Sequence, residues 1–226
     1  MKSLVYESPC GKLLLGARCG SIVLCDWIRG SRIEETLRRI STFLPGEGNR
    51  SRKFPDERRQ NEDEAVFATK AGYEDGWLTA VSNGENTGLT SVASWDDNGA
   101  FEDEDEVVLK VAVGMLDEYL EGKRREFDLP INLCGTEFQR RVWAALEKIP
   151  YGKMVGYQAV AESIGKPQAT RAVASAIGAN PVSILIPCHR VIRSDGSTGR
   201  YAGGPEAKCY LLQLESASLL SGERRG

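Results

Sequence analysis

The feature that most constrains this 226-residue chain is a long break in its hydrophobicity. From residue 45 to about residue 106 apolar side chains become scarce, and PGEGNRSRKFPDERRQNEDE, VSNGENTG and WDDNGAFEDEDE show no helical or strand spacing. Such composition cannot bury enough surface to offset the entropy of ordering it. The chain therefore reads as two apolar stretches separated by a mostly disordered insertion at about residues 46–104. Trp77 and Trp95 are its candidate anchors, and loosely packed surface aromatics are the plainer reading of both.

Before the break, residues 3–28 alternate short apolar runs with glycine turns (SLVYES, PCGKLLLGA, RCGSIVLCDWI), a pattern of two or three antiparallel strands. Residues 31–43 space Ile33, Leu37 and Ile40 along one helical face. After the break, residues 105–120 place Val108, Val111, Met115, Leu116 and Tyr119 on an apolar stripe behind an acidic first turn. Gly122 stops that helix, and FDLPINL is an extended connector.

A second half begins near Gly135. Thr136 and Gln139 form a capping box for a helix that turns Phe138, Val142, Trp143, Leu146 and Ile149 inward, and Pro150-Tyr151-Gly152 ends it. A short helix over residues 157–164, a Gly165-Lys166-Pro167 turn and a second helix over residues 168–177 follow, in helix-turn-helix layout. The expected division is 1–130 for an N-terminal supporting domain carrying the insertion, 131–217 for the second domain and 218–226 for a flexible tail.

The net charge of −3 conceals an asymmetry. Residues 131–226 hold 12 Lys and Arg against 7 Asp and Glu, whereas residues 1–130 hold 17 against 25. A polyanion would therefore meet the C-terminal half. No apolar run approaches the roughly 18 residues of a membrane span, and the N-terminus lacks the apolar core of a secretory signal. The expectation is a cytoplasmic (or nuclear) protein with no membrane partner. Of the six cysteines, Cys10, Cys19 and Cys25 could supply thiolates to a metal, but no CxxC pair occurs and the single histidine is remote. Buried or half-buried structural thiols, with no metal, are the better reading.

The chemistry concentrates in Asn180-Pro-Val-Ser-Ile-Leu-Ile-Pro-Cys188-His189-Arg190-Val-Ile192, which sets a cysteine beside the only histidine. A thiol of ordinary pKa, about 8.5, is only a few per cent thiolate at neutrality. An imidazole can take its proton, directly or through a water. Neighbours on a strand point to opposite faces, so His189 needs a bent backbone or a bridging water to serve Cys188. The pair by itself is more often the mark of a packed thiol.

Residues from IPYGKMVGYQ through ILIPCHRVI closely resemble the catalytic domain of the O6-alkylguanine-DNA alkyltransferases (methylated-DNA–protein-cysteine methyltransferases). GTEFQRRVW, the Asn-Pro pair, RAV, YAGG and KCYLLQLE carry the same resemblance. It is close over residues 106–217, weak over 1–45 and absent over the insertion. It implies a ribonuclease-H-like α/β N-terminal domain followed by a mostly α, winged-helix-like catalytic domain with a helix-turn-helix. It implies that Cys188 accepts an alkyl group from O6 of guanine, with His189 as base through water, Glu215 orienting His189, and Asn180 bracing the turn. It implies that Arg171 fills the space left by a flipped base, from a helix of small residues lying in the minor groove, and that Tyr157 helps rotate the nucleotide at its phosphate. Rotation costs a few kcal/mol. Tyr201 would hold the guanine, and Lys208 would belong to the pocket, though a solvated helix charge fits it as well. Arg200, in the loop that would close over the base, departs from the small or neutral residue usual there. The implied partner is double-stranded DNA bearing alkylated guanine (O4-alkylthymine is the other candidate), met by a monomer without cofactor and consumed in one turnover. The rival readings are a lesion-binding module, which would lack Cys188, a cysteine hydrolase, which would turn over repeatedly, and a metal-binding structural protein built on the N-terminal cysteines.

Overall fold

In a computed structural model, which describes residues 1–44 and 103–222, three strands open the chain: β1 (Lys2–Ser8), β2 (Gly11–Arg18) and β3 (Ser21–Trp27). They pair antiparallel in the order β1-β2-β3. Strand alternation turns Leu4 and Tyr6 of β1 inward opposite Leu15 and Leu13 of β2. β3 is buried on both faces because a helix covers each side. α1 (Arg32–Ser41) lays Ile33, Leu37 and Ile40 against Val23 and Leu24. α2 (Glu104–Leu120) packs across the other face.

α2 starts where acidic residues favour a helix: the Asp103 carboxylate accepts from the Asp105 amide at 2.9 Å, and Glu104, Asp105 and Glu106 fill the first turn. Its buried stripe is Val108, Ala112, Leu116 and Leu120, flanked by Leu109 and Tyr119. Val111 and Met115, expected inward, are only half-buried. The helix is turned by about a residue because it must face both the sheet and, through Tyr119, the second half. Gly122 (φ 74°) ends it, its amide bonding to the Tyr119 carbonyl. The insertion read at 46–104, with Trp77 and Trp95, lies outside the described residues apart from Asp103 and Glu104.

The second half is helical around a two-residue parallel ladder of β4 (Val155–Gly156) and β5 (Val191–Ile192). α3 (Glu137–Glu147) begins in the expected capping box, with both reciprocal Thr136–Gln139 bonds formed. It buries Val142, Trp143 and Leu146, while Phe138 stays half-buried. The Trp143 indole donates to the Ala176 carbonyl at 2.8 Å, which ties α3 to α5 (Thr170–Gly178). α4 (Tyr157–Ser163), the turn at Gly165 (φ 69°) and α5 make the helix-turn-helix. The last helix, α6 (Gly204–Gly222), continues past Ala217, where the sequence reading begins a flexible tail. No proline or glycine interrupts it between Glu206 and Ser221, so nothing in the chain breaks it earlier. Residues 223–226 lie outside the described residues.

The halves are joined through the free edge of β3. Ile22 and Cys25 donate their amides to the carbonyls of Pro130 (2.8 Å) and Pro181 (2.9 Å), and Asn132 and Ser183 return bonds to Ile22 and Cys25. An edge that would otherwise stand open is thus closed by the two segments that lead into the second half and toward Cys188. The result is an α/β N-terminal half and a helical C-terminal half. Among the described residues, no helix is long and apolar enough to cross a membrane.

Candidate active site

The segment 180–190 is shaped by its own side chains and by β3. Asn180, fully buried, accepts from the Val182 amide at 3.0 Å and donates to the Ile186 carbonyl at 3.0 Å, so it staples both ends of the loop before Cys188. Inside the staple, buried Ile184 has φ 71°, costly for a β-branched residue. Pro187 then leads into a 3-10 turn, Cys188–Arg190. Of the two routes by which His189 can serve Cys188, a bent backbone or a bridging water, this turn supplies the bend: it sends Cys188 and His189 to positions a third of a revolution apart rather than to opposite faces.

His189 is fully buried, and its Nε2 lies 2.9 Å from Glu215 Oε1. Glu215 Oε1 also accepts from the Tyr119 hydroxyl at 2.7 Å. Since a carboxylate can only accept, the neutral imidazole carries its proton on Nε2 and leaves Nδ1 as an acceptor. That Nδ1 is buried and has no hydrogen-bond partner among the described residues. Burial, helped by the charges of Arg190 and Lys208, holds the His189 pKa below its ordinary value against the pull of Glu215. Burial also pushes the Cys188 thiol up; the Asn180 side chain opposes this, Asp26 adds to it, and Lys208 and Arg32 oppose it. Both groups are therefore neutral at rest, and the thiol needs a base to become a nucleophile.

Glu215 is the electrostatic hub. Burial would raise its pKa, but hydrogen bonds and charge from His189 and Arg190 bring it down to about 2. Arg190 grips the carboxylate at 2.9–3.1 Å and donates a further bond to the Ile149 carbonyl at 2.6 Å. The Gly152 amide supplies another at 2.8 Å. Sequence reasoning missed Arg190 and Tyr119. A cation inside the apolar run ILIPCHRVI was the available signal, since a buried guanidinium demands an anion; Tyr119 had none, being indistinguishable from a core aromatic.

Tyr201 lies beside the pair, its ring 6.4 Å from the imidazole, with its hydroxyl buried and without a partner among the described residues. Lys208, for which a solvated charge fitted equally well, is buried instead: its Nζ donates to the carbonyls of Val191 (2.6 Å) and Thr198. It fastens the 197–203 loop to β5, because an ammonium out of water needs acceptors. Tyr157, at the start of α4, sets its hydroxyl against Gly199, where a Cβ would lie 3.1 Å away. Arg171 is apart from this cluster. It is exposed on α5 beside Ala172, Ser175 and Gly178, with no hydrogen bond or ion pair among the described residues, while Ala176 of the same helix packs inward. Arg200 is exposed in the loop.

α5 is held from the other half. Arg32 and Arg39 of α1 donate to the carbonyls of Gly178 (3.1 Å) and Ala179 (2.6 Å), supplying the positive charge that the helix lacks in its own last turn. Buried Asp26 accepts from Thr36 and Ser183 and pairs with Arg32 at 3.3 Å. Among the described residues no cluster of three or more candidate metal ligands occurs, at the N-terminal cysteines or elsewhere. Cys25 is buried and Cys10 half-buried, but Cys19 is exposed in a turn at φ 52°.

Comparison with known proteins gives a consistent result. Residues 137–217 match the family profile of the 6-O-methylguanine DNA methyltransferase DNA-binding domain. The chain is 51% identical over 112 residues to the inducible methylated-DNA–protein-cysteine methyltransferase of Bacillus subtilis, covering 50% of this chain and 63% of that one, which is under two thirds of its length. It is 43% identical over 145 residues to the methylated-DNA–protein-cysteine methyltransferase of Mycobacterium leprae, covering 64% of this chain and 83% of that one. The crystal structure of Mycobacterium tuberculosis OGT in complex with DNA superposes with a TM-score of 0.61 at 28% identity, covering 96% of this chain and 93% of that one.

Proposed function

The chain belongs to the methylated-DNA–protein-cysteine methyltransferases, and on that premise we propose that it repairs DNA by moving an alkyl group from O6 of guanine to Cys188. The observation that carries this is the buried thiol beside a histidine whose Nε2 is committed to Glu215 and whose Nδ1 is free to accept. In this reading His189 takes the thiol proton at Nδ1 through a water, and the Glu215 carboxylate stabilises the imidazolium that forms, against the opposing charge of Arg190. The thiolate attacks the alkyl carbon in line, the carbon–O6 bond breaks, and guanine departs as its O6 anion. Tyr201 donates to the base as that charge develops. The product is a thioether without a hydrolysis route, so each molecule acts once and without a cofactor.

The approach to DNA is part of the same proposal. The exposed Arg171 and the small residues around it let α5 enter the minor groove, where Arg171 occupies the space of a flipped nucleotide. Tyr157, at the rim, turns the nucleotide by its phosphate, and Lys208 holds the loop that covers the base. We read the N-terminal half as ribonuclease-H-like, the second half as winged-helix-like, and the active species as a cytoplasmic monomer.

The test is transfer from a duplex containing O6-[methyl-³H]methylguanine. Label should move to the protein and saturate at one methyl per chain, and the single-turnover rate should fall only at a pH below the ordinary imidazole value of 6.5, as His189 Nδ1 becomes protonated. Repeated turnover, or repair with no label on the protein, would exclude the reading.

A further inference from the structure

The C-terminal end of β3 reaches into the site at a residue that the alkyl-transfer chemistry above does not use. Trp27 is 2% exposed, and its ring is wedged between two backbones. A Cβ on Gly203 would stand 2.6 Å from its ring-fusion atoms, and one on Gly11 would stand 3.3 Å from its far edge. Next to it, Arg29 donates to the Gly203 carbonyl at 2.7 Å. The ring meets Tyr201 edge-on, with centroids 6.0 Å apart and planes at 68°.

A buried tryptophan ordinarily places its N–H on an acceptor, as Trp143 does here on Ala176. Trp27 does not: among the described residues its buried Nε1 has no hydrogen-bond partner, and neither has the buried Tyr201 hydroxyl across from it. An indole N–H can only donate, while a phenol both donates and accepts. Two groups of this kind, on rings in edge contact and each without a partner among the described residues, cost more than either would if paired. Burial and the neighbouring Cys188 push the Tyr201 pKa well up, and the Trp27 indole opposes them.

We propose that Trp27 is a positioning residue for alkyl transfer: its indole N–H engages the Tyr201 oxygen and so turns the Tyr201 proton toward the substrate pocket beside Cys188. The wedge against Gly203 fixes the ring, and the β3 edge that carries the 181–183 segment fixes the strand. A residue of the supporting half thereby sets the donor direction of a residue in the reacting half. The inference rests on the role given to Tyr201 above.

The experiment compares single-turnover methyl transfer and duplex affinity in the wild type, W27F, Y201F and the double variant. W27F keeps the aromatic packing and loses the N–H. It should bind the duplex as the wild type does, unfold at a similar temperature and transfer about tenfold more slowly. In the double variant, loss of Trp27 should add nothing to loss of Tyr201. A wild-type rate in W27F, or effects that multiply, would overturn the inference while leaving the alkyl-transfer reading intact. A wild-type rate in Y201F overturns it together with the role given to Tyr201, and a wild type that transfers no label removes the function itself. Should W27F fail to fold, one of the four indole N–H resonances of the otherwise native protein should move on Y201F substitution; four unmoved resonances would contradict the contact.

Discussion

Cys188→Ser is expected to fold, to bind an O6-methylguanine duplex with the wild-type affinity, and to transfer no measurable methyl, a loss of at least about a thousandfold. The substitution hardly changes volume at a site that is closely packed around the loop stapled by Asn180. What it removes is the one group in the pocket that a neutral imidazole can turn into a competent nucleophile. Burial already places the thiol above its ordinary value, and a hydroxyl in the same place lies much further from ionisation. Single-turnover label transfer and fluorescence anisotropy on the same preparations separate chemistry from binding. Residual transfer within tenfold of the wild type would mean that another group accepts the alkyl.

Glu215→Gln should damage both stability and rate. Glutamine keeps the shape but removes the charge that neutralises buried Arg190, and breaking a buried pair of this kind costs about 3 kcal/mol or more. For a chain of this size that is about a 10 °C fall in Tm. Transfer should slow as well, because the imidazolium formed from His189 loses its counter-charge. Acid provides a control. The folded-state pKa of Glu215 is depressed from 4.5 to about 2, so the stability that it contributes, about 3 kcal/mol, is complete above pH 4.5 and is lost as pH falls toward 2. Glutamine has no such titration. The difference in Tm between the two proteins should therefore narrow across that window, and a difference independent of pH would contradict the role of the charge.

How much of this was legible in the sequence depends on whether each residue's neighbours are local. The strand turns of the N-terminal half, the capping box at Thr136 and the helix-turn-helix are set by short-range patterning, and all appear in the fold. Between His189 and Cys188 the sequence leaves two routes open, a bent backbone or a bridging water; the fold supplies a bend, and the proposed mechanism keeps the water. Glu215 was visible only through family resemblance, since nothing in KCYLLQLE marks one carboxylate as buried. Tyr119, Arg32, Arg39 and Trp27 were not legible as parts of the site. Each acts from the N-terminal half on the C-terminal half, and no local pattern records which helix end or which loop it will meet. Asp26 shows the limit most clearly. A charge inside the strand SIVLCDW signals that some partner must exist, but only the fold identifies Thr36, Ser183 and Arg32 as those partners. Lys208 is similar: its place on α6 fits a solvated ammonium as well as the buried one that fastens Val191 to Thr198.

The central claim is that one thiol, at Cys188, takes the alkyl group. Peptide mass mapping of the full chain after reaction with an excess of O6-methylguanine duplex tests this most directly, because six cysteines compete in principle. The account predicts a single added methyl per chain, confined to the peptide containing Cys188, with Cys10, Cys19, Cys25, Cys134 and Cys209 unmodified. Repaired DNA alongside an unmodified Cys188, or methyl distributed over exposed Cys19 and Cys209, would contradict it.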